Sequence, residues 1–375
     1  MGEPTQPAKT GFVSGRRFSG WRPFSLDSAL HLVVAASVNG IATTAIIDSG
    51  AGRTIVDREF AKRLKLASGR GFRAAGVTSN TDGDLASGVS LRLGDFILGD
   101  LDVAVLDLSI LSKVAGKSID VIVGRELFDR VVVDLNFAKQ RLGFFDFGAP
   151  PNPSNSMAVA LIADSLGRRY VSLSIDGRDE VPGCYDLGND VSLVISPEYA
   201  NAHNLFDGLR VSSVASAGVS GISLGKVAVL PKVRVGEVTF SNVPAQVPSA
   251  WNQSASVLAG LPIWSRFENV VDSSRDRLSL TLIPNASSKP FPKDRSGIGA
   301  ARANGHLQII HVAEGSPAEG VGLRPGDEIV AIDGKLVDSA YLTSHARLGF
   351  RPAGTAVGLK LGDGRQLHMV LADYF

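Results

Sequence analysis

The chain has 375 residues, of which 44% are hydrophobic and 20% charged; that is an ordinary globular composition and a length suited to two or three domains. Its 38 basic and 37 acidic residues nearly cancel, so it lacks the excess positive charge that nucleic acid or an acidic membrane surface attracts. The single cysteine, Cys184, excludes an intramolecular disulfide and a cysteine-built metal cluster, and no apolar run approaches the roughly 18 residues of a membrane-spanning helix.

Residues 1–26 read as an N-terminal extension. Its first part, "MGEPTQPAKTGFVSGRRFSGW", is polar, has no signal-peptide core, and is expected to be flexible to about residue 17. The compartment stays open: either cytoplasmic, or beyond a membrane if a leader precedes this chain.

From residue 27 the chain repeats itself with a period near 138 residues. The first copy, 27–149, contains "LVVAASVNGIATTAIIDSGAGRTIVDREFAKRLKL"; the second, 157–284, contains "YVSLSIDGRDEVPGCYDLGNDVSLVISPEYANAHNL". Each has an alternating strand, then a two-residue turn, Asn39-Gly40 or Asp176-Gly177, of the kind that closes a β-hairpin. A second strand ends in Asp48 or Asp186, with Gly50 or Gly188 two positions on. Thr54-Ile55-Val56 and Ser192-Leu193-Val194 follow, then a short helix. Further on, "AAGVTS" (74–79) matches "SAGVSG" (216–221), and "DVIVGRELFDRVVVDLNFAKQRLGF" matches "SVLAGLPIWSRFENVVDSSRDRLSL". The copies are joined by "FGAPPNPSNS", a proline- and serine-rich linker. Strand-like stretches dominate both.

Asp-Ser-Gly-Ala after two isoleucines, followed some 75 residues later by Val121-Ile122-Val123-Gly124, resembles the retropepsin-like aspartic proteases. Two such copies in one chain resemble the bilobal, pepsin-like arrangement. The resemblance implies a mostly β fold of two tandem retropepsin-like β-barrel lobes. It implies Asp48 and Asp186 as a catalytic pair acting on water, with polypeptide as substrate. Two close carboxylates cannot both ionise, so one stays charged to take the water's proton while the other carries a proton to the scissile carbonyl. Around the pair, Ser49, Gly50 and Ala51 and their counterparts Leu187, Gly188 and Asn189 are expected to support the loops. Gly76, Val77 and Thr78, and Gly218, Val219 and Ser220, fall where this family places its flaps. With both aspartates on one chain, a monomer is favoured.

Two departures from the family pattern stand out. Leu187 replaces the Thr or Ser whose hydroxyl bonds across the lobes, and Ala51 offers no hydroxyl beside Asp48, which predicts a pH optimum milder than strongly acidic. Leu187 keeps open a non-catalytic peptide-binding scaffold with a decayed second lobe, or a homodimer paired through Asp48. Other residues have plainer readings. Asp134 and Asp272 lie beside strand–strand turns, as turn residues. Cys184 is a small buried strand residue. The six histidines lack ligand spacing, so neither a metal nor a cofactor is expected.

After the linker "IPNASSKPFPKD", the segment "GHLQIIHVAEGSPAEGVGLRPGDEIVAIDGKLV" (305–337) resembles a bacterial PDZ domain, placed at 296–375. Pro317-Ala318 should open a short helix, Gly326-Asp327 should turn into the strand "EIVAI", and Asp333-Gly334 should make a hairpin. A helix over 338–350 should border a peptide groove, with two closing strands after it. The resemblance implies a Gly-rich loop, Gly297-Ile298-Gly299-Ala300, offering N–H groups to a peptide's C-terminal carboxylate. By analogy, a protease joined to a PDZ domain favours a periplasmic or secreted setting.

Overall fold

The computed structural model describes residues 9–27, 29–67, 69–165, 167–303, 305–338 and 348–375. Strands hold 48% of the described residues and helices 9%, in two lobes of like topology and a third, smaller β module.

In lobe one, Leu32–Val38 and Ile41–Ile47 form the expected hairpin. Asn39 and Gly40 both take positive φ, 47° and 81°, as a tight primed turn requires. Ile55–Asp57 leads into the helix Arg58–Arg63, whose first N–H groups are capped by the Asp57 carboxylate. The strand Val121–Val123 then inserts between them, parallel to Ile41–Ile47 and antiparallel to Ile55–Asp57. Its three residues are all buried, which is why "VIV" is continuously apolar rather than alternating. Lobe two repeats the plan. Its hairpin is Arg169–Ile175 with Val181–Tyr185, and Val257–Ala259 runs parallel to Val181–Tyr185 and antiparallel to Leu193–Ile195.

The lobes share a sheet. Val132–Asn136 of lobe one pairs with Phe267–Asp272 of lobe two, Val133 opposite Val271 and Leu135 opposite Asn269. Arg141–Phe145 and Arg277–Leu282 flank this pair, and one apolar core runs through both lobes, from Leu32 and Ile47 to Tyr185, Leu187 and Trp264. The repeat interval shortens to 136 residues here, Gly124 matching Gly260, so Asn136 is the true counterpart of Asp272. Asp272 ends its strand and caps the turn that follows, accepting from Ser274 N and Ser274 Oγ. Asp134 is not a turn residue: it lies mid-strand opposite Val270. Burial and the neighbouring Glu268 push its pKa up to about 6.

The N-terminal extension is also tied down earlier than expected. Gly11–Phe12 pairs with Phe96–Leu106, and Arg22–Leu26 joins the sheet beside Arg141–Phe145. Aromatic seats explain this: Phe12 lies 5.1 Å from the Phe96 ring, and Phe18 stacks on Phe145 at 4.2 Å.

The C-terminal module has its own core, including Ile309, Ile329, Leu359 and Met369. The short helix Pro317–Gly320 is capped by Ser316 Oγ. Glu328–Ile332, its hairpin partner Lys335–Leu336, and the closing strands Ala356–Leu361 and Gln366–Val370 lie where the sequence implies. Of the helix expected over 338–350, residues 339–347 lie outside the described residues; Leu348–Phe350 forms one 3-10 turn. The segment Gly297–Ala300 is not a free loop. Ile298–Ala303 is a strand paired with His306–Val312, and the N–H groups of Gly297 and Ile298 already donate to Asp294 Oδ2 and Ser296 Oγ. Two short side chains just upstream thus occupy the donors that a peptide carboxylate would need.

Candidate active site

Asp48 and Asp186 leave their strands at the same point and are held from behind by the same device. Asp48 N donates to Val123 O at 2.9 Å, and Asp186 N to Ala259 O at 3.0 Å. Gly124 and Gly260 follow these inserted strands. A Cβ on either would collide with backbone of the aspartate loop, Arg53 carbonyl carbon at 2.5 Å in lobe one and the Val191 carbonyl in lobe two.

The two loops face each other across the lobe boundary. A Cβ on Gly50 would lie 2.6 Å from Asp186 Cγ, and one on Gly188 would collide with the Asp48 carboxyl. Glycine is thus needed at both places for close approach, independent of its φ freedom. Asp48 Oδ1 accepts from Gly50 N at 2.9 Å and Ala51 N at 3.0 Å. Asp186 Oδ1 accepts from Gly188 N at 3.0 Å. The two carboxyls are close enough to shift each other's pKa.

That enclosure shifts the two carboxyls unequally. Burial, and then the Asp48 charge, push the Asp186 carboxyl well above the ordinary range. Burial raises Asp48 as well, but its bonds from Ala51 N and Gly50 N, the neighbouring Asp186 and the nearby His31 pull it back. Both carboxyls are raised, Asp186 the more strongly, and the two titrate as one coupled pair.

Support around the pair is unequal. Ser49 reaches across the boundary: its hydroxyl donates to Tyr185 O at 2.6 Å and accepts from Leu187 N at 3.0 Å. The return contact is absent, because Leu187 turns its side chain fully into the core. In lobe one, Thr54 Oγ1 donates to Glu126 Oε2 at 3.1 Å and accepts from Gly124 N at 3.1 Å. Its lobe-two counterpart, Ser192, is buried with no partner for its hydroxyl among the described residues, since Pro262 stands where Glu126 would. Asn189 Oδ1 is used locally, accepting from Val191 N at 3.0 Å.

Gly76, Val77 and Thr78 form the tip of one hairpin, between Gly71–Ala75 and Asn80–Leu93. Gly218, Val219 and Ser220 form the tip of another, between Ser212–Gly218 and Gly221–Val235. We call these flap one and flap two. The tips cross. Val77 of flap one packs on a lobe-two cluster with Tyr170, Cys184 and Leu258. Val219 of flap two packs on a lobe-one cluster with Ile46, Ile122 and Leu111. They also touch: a Cβ on Gly76 would lie 2.5 Å from Ser220 Oγ.

Several contacting residues had not been singled out in the sequence. Asn252 N donates to Val77 O at 2.8 Å, and Gln253 Nε2 to Gly76 O at 2.6 Å. At the root of flap two, Ser212 Oγ donates to Glu314 O at 2.6 Å, and Ser213 Oγ lies 3.1 Å from His311 Nε2. None has a local motif; each makes its contact with a partner about 100 or more residues away.

Two family models match parts of this chain. Residues 34–127 match the family model described as aspartyl protease, and residues 308–342 match a PDZ domain model. The first lobe is thus of the aspartyl protease type, and the C-terminal module is a PDZ domain. No curated protein matches the chain. Among solved structures, basic 7S globulin from soybean aligns with 12% identity and a TM-score of 0.40, over 70% of this chain and 93% of its own.

Proposed function

We propose that the chain is an aspartic endopeptidase that hydrolyses extended polypeptide with the Asp48/Asp186 pair. One observation carries this reading. Two carboxyls from two topologically equivalent loops meet within one chain, each against the glycine of the other, so no second chain is required. Asp48, the ionised member, takes the proton of a water placed between the carboxyls. Asp186 donates to the scissile carbonyl as that water attacks, and the tetrahedral intermediate collapses with proton delivery to the leaving amine. Once open, the flap hairpins would pair their backbone with an extended substrate, and the PDZ domain recruits substrate or regulates access.

The Asp48 carboxyl must be charged to act, and burial raises it. Activity is therefore lost as pH falls through that raised value, and lost again at high pH as Asp186 gives up its proton. An optimum milder than strongly acidic is expected; a rate still climbing at pH 2 would contradict it.

The deciding experiment is cleavage of an unstructured protein by wild type, Asp48→Asn and Asp186→Asn, with and without a transition-state mimic of the pepstatin type. Loss in both variants, with inhibition of the wild type, supports the pair. Loss at Asp48 alone points to an asymmetric or dimeric site. Absence of wild-type cleavage from pH 3 to 8 favours a peptide-binding scaffold, the reading that the missing hydroxyl at Leu187 supports.

A further inference from the structure

The two flaps are restrained by different devices. Flap two is held at its root. Beyond the Ser212 and Ser213 contacts, Glu314 N donates to Ser213 Oγ at 3.2 Å, and Arg210 Nη1 to Asp373 O at 2.9 Å. Val214, Val227 and Val229 of the same hairpin share a cluster with Ala313, Tyr374 and Phe375. The PDZ strand Ile298–Ala303 also lies against flap two, where a Cβ on Gly299 would sit 3.4 Å from Ala215 Cβ. Flap two and the PDZ domain are built as one piece.

Flap one packs at its root only on its own lobe, where Phe72 and Ala74 lie against the cluster of Ile46, Ile55 and Ile122; its hold on lobe two is at its tip. Gly76 O accepts from Gln253 Nε2 at 2.6 Å, Val77 O from Asn252 N at 2.8 Å, and Asn80 Oδ1 from Asn252 Nδ2 at 2.9 Å. The Gln253 amide is oriented before it meets the flap. Arg168 Nη1 donates to Gln253 Oε1 at 2.8 Å. With the oxygen so engaged, only the NH2 faces the Gly76 carbonyl, because arginine has no acceptor. Arg168 is itself fixed: it is 9% exposed, donates through Nε and Nη2 to Asp164 Oδ2 at 3.0 and 2.8 Å, and bonds Ser254 Oγ. Tyr170 OH donates to the same Asp164 oxygen at 2.9 Å.

We infer that flap one is the moving gate and that Gln253, positioned by the Asp164–Arg168 pair, is its catch. Substrate is admitted when the Gly76 and Val77 carbonyls leave lobe two, while flap two stays on the PDZ domain. Gln253 is a positioning residue: it acts on the flap, and the carboxyl pair does the chemistry. The inference rests on the proposed peptidase reading for its purpose, but its test does not need cleavage.

The test is hydrogen exchange by mass spectrometry on the full chain, comparing peptides over 71–85 and 212–226. Gln253→Ala removes the catch. Gln253→Glu keeps the Arg168 contact but sets a carboxylate oxygen against the Gly76 carbonyl. Both are expected to speed exchange in flap one about tenfold and leave flap two within twofold. Unchanged flap one, or equal acceleration in both flaps, overturns the inference. Should Gln253→Ala fail to fold, Gln253→Glu and Asn252→Ala carry the same comparison. In turnover, KM is expected to rise several-fold with kcat within twofold; a fall in kcat alone would instead place Gln253 in the chemistry. A wild type that cleaves nothing would end the peptidase reading, while the exchange result would still decide the catch.

Discussion

Lobe one and lobe two share a topology but stiffen their aspartate loops with different chemistry. In lobe one the loop is bound by polar side chains: Ser49 crosses to Tyr185 O and Leu187 N, and Thr54 ties Glu126 to Gly124 N. In lobe two, leucine, serine and proline stand at the places of Ser49, Thr54 and Glu126. There Leu187 is fully buried and the Ser192 hydroxyl has no partner among the described residues. A duplicated scaffold thus keeps both carboxyls in place without keeping both sets of staples. Backbone bonds from the inserted strands and packing of Leu187 suffice on the second side, and one cross-lobe hydroxyl serves both loops.

Ways to break that comparison differ in size. The largest effect is expected where the lobes are equivalent: Asp48→Asn and Asp186→Asn should each lower kcat on the order of 10³-fold or more, since the two residues act as one unit. If Asp186→Asn lost less than tenfold, lobe two would be a support and the equivalence would fail.

Next comes the unequal pair. Ser49→Ala leaves Tyr185 O and Leu187 N unsatisfied in the interior, which should cost about 2–4 kcal/mol in denaturant unfolding. Leu187→Thr puts a hydroxyl where the core is apolar and should also destabilise, by about 1–3 kcal/mol. A stabilising Leu187→Thr would mean that lobe two keeps a usable slot for the second hydroxyl.

The shared sheet supplies a pH-dependent test. Asp134 titrates at about 6 in the folded chain against 3.8 as its ordinary value, so the folded state holds the extra proton between those values. Stability should accordingly fall as pH rises from about 4 to 6. Asp134→Asn should raise stability at pH 7 by about 2–3 kcal/mol and change little at pH 4. Thermal unfolding at the two pH values measures this directly.

The smallest effect sharpens the contrast at matched positions. Thr54→Val should cost about 1–3 kcal/mol, because Glu126 and Gly124 N lose a partner. Ser192→Ala should be neutral, or stabilising by up to about 1 kcal/mol, since its hydroxyl is buried for no bond. Equal costs would show that lobe two has a partner for Ser192 in solution.

Much of the fold was legible because its signals are local or repeated. Hairpin turns at Asn39-Gly40 and Asp176-Gly177, the apolar-Gly strands, and the Gly-Ser-Pro-Ala and Arg-Pro-Gly-Asp series each impose geometry through a few neighbouring residues. The errors arose where a distant partner decides. Asp134 looked like a turn residue because it stands just before a turn; it is a sheet residue paired with Gly143 in its own lobe and with Val270 of the other. Gly297–Ala300 looked like a free loop, but Asp294, Ser296 and a strand partner claim it. Residues 9–17 looked unattached, although their aromatic neighbours find rings some 80 to 130 positions away.

By itself the sequence determined the duplication and the strand-rich architecture and marked two matching aspartates, because each is written in spacing and alternation along one stretch of chain. Only the tertiary structure decided how the halves use them. It set Gly50 against Asp186 and Gly188 against Asp48, split the support unevenly between Ser49 and Leu187, crossed the flap tips onto opposite lobes, and joined flap two to the PDZ domain. Those contacts depend on how two folded lobes close on each other, and pattern within either copy carries no record of that closure.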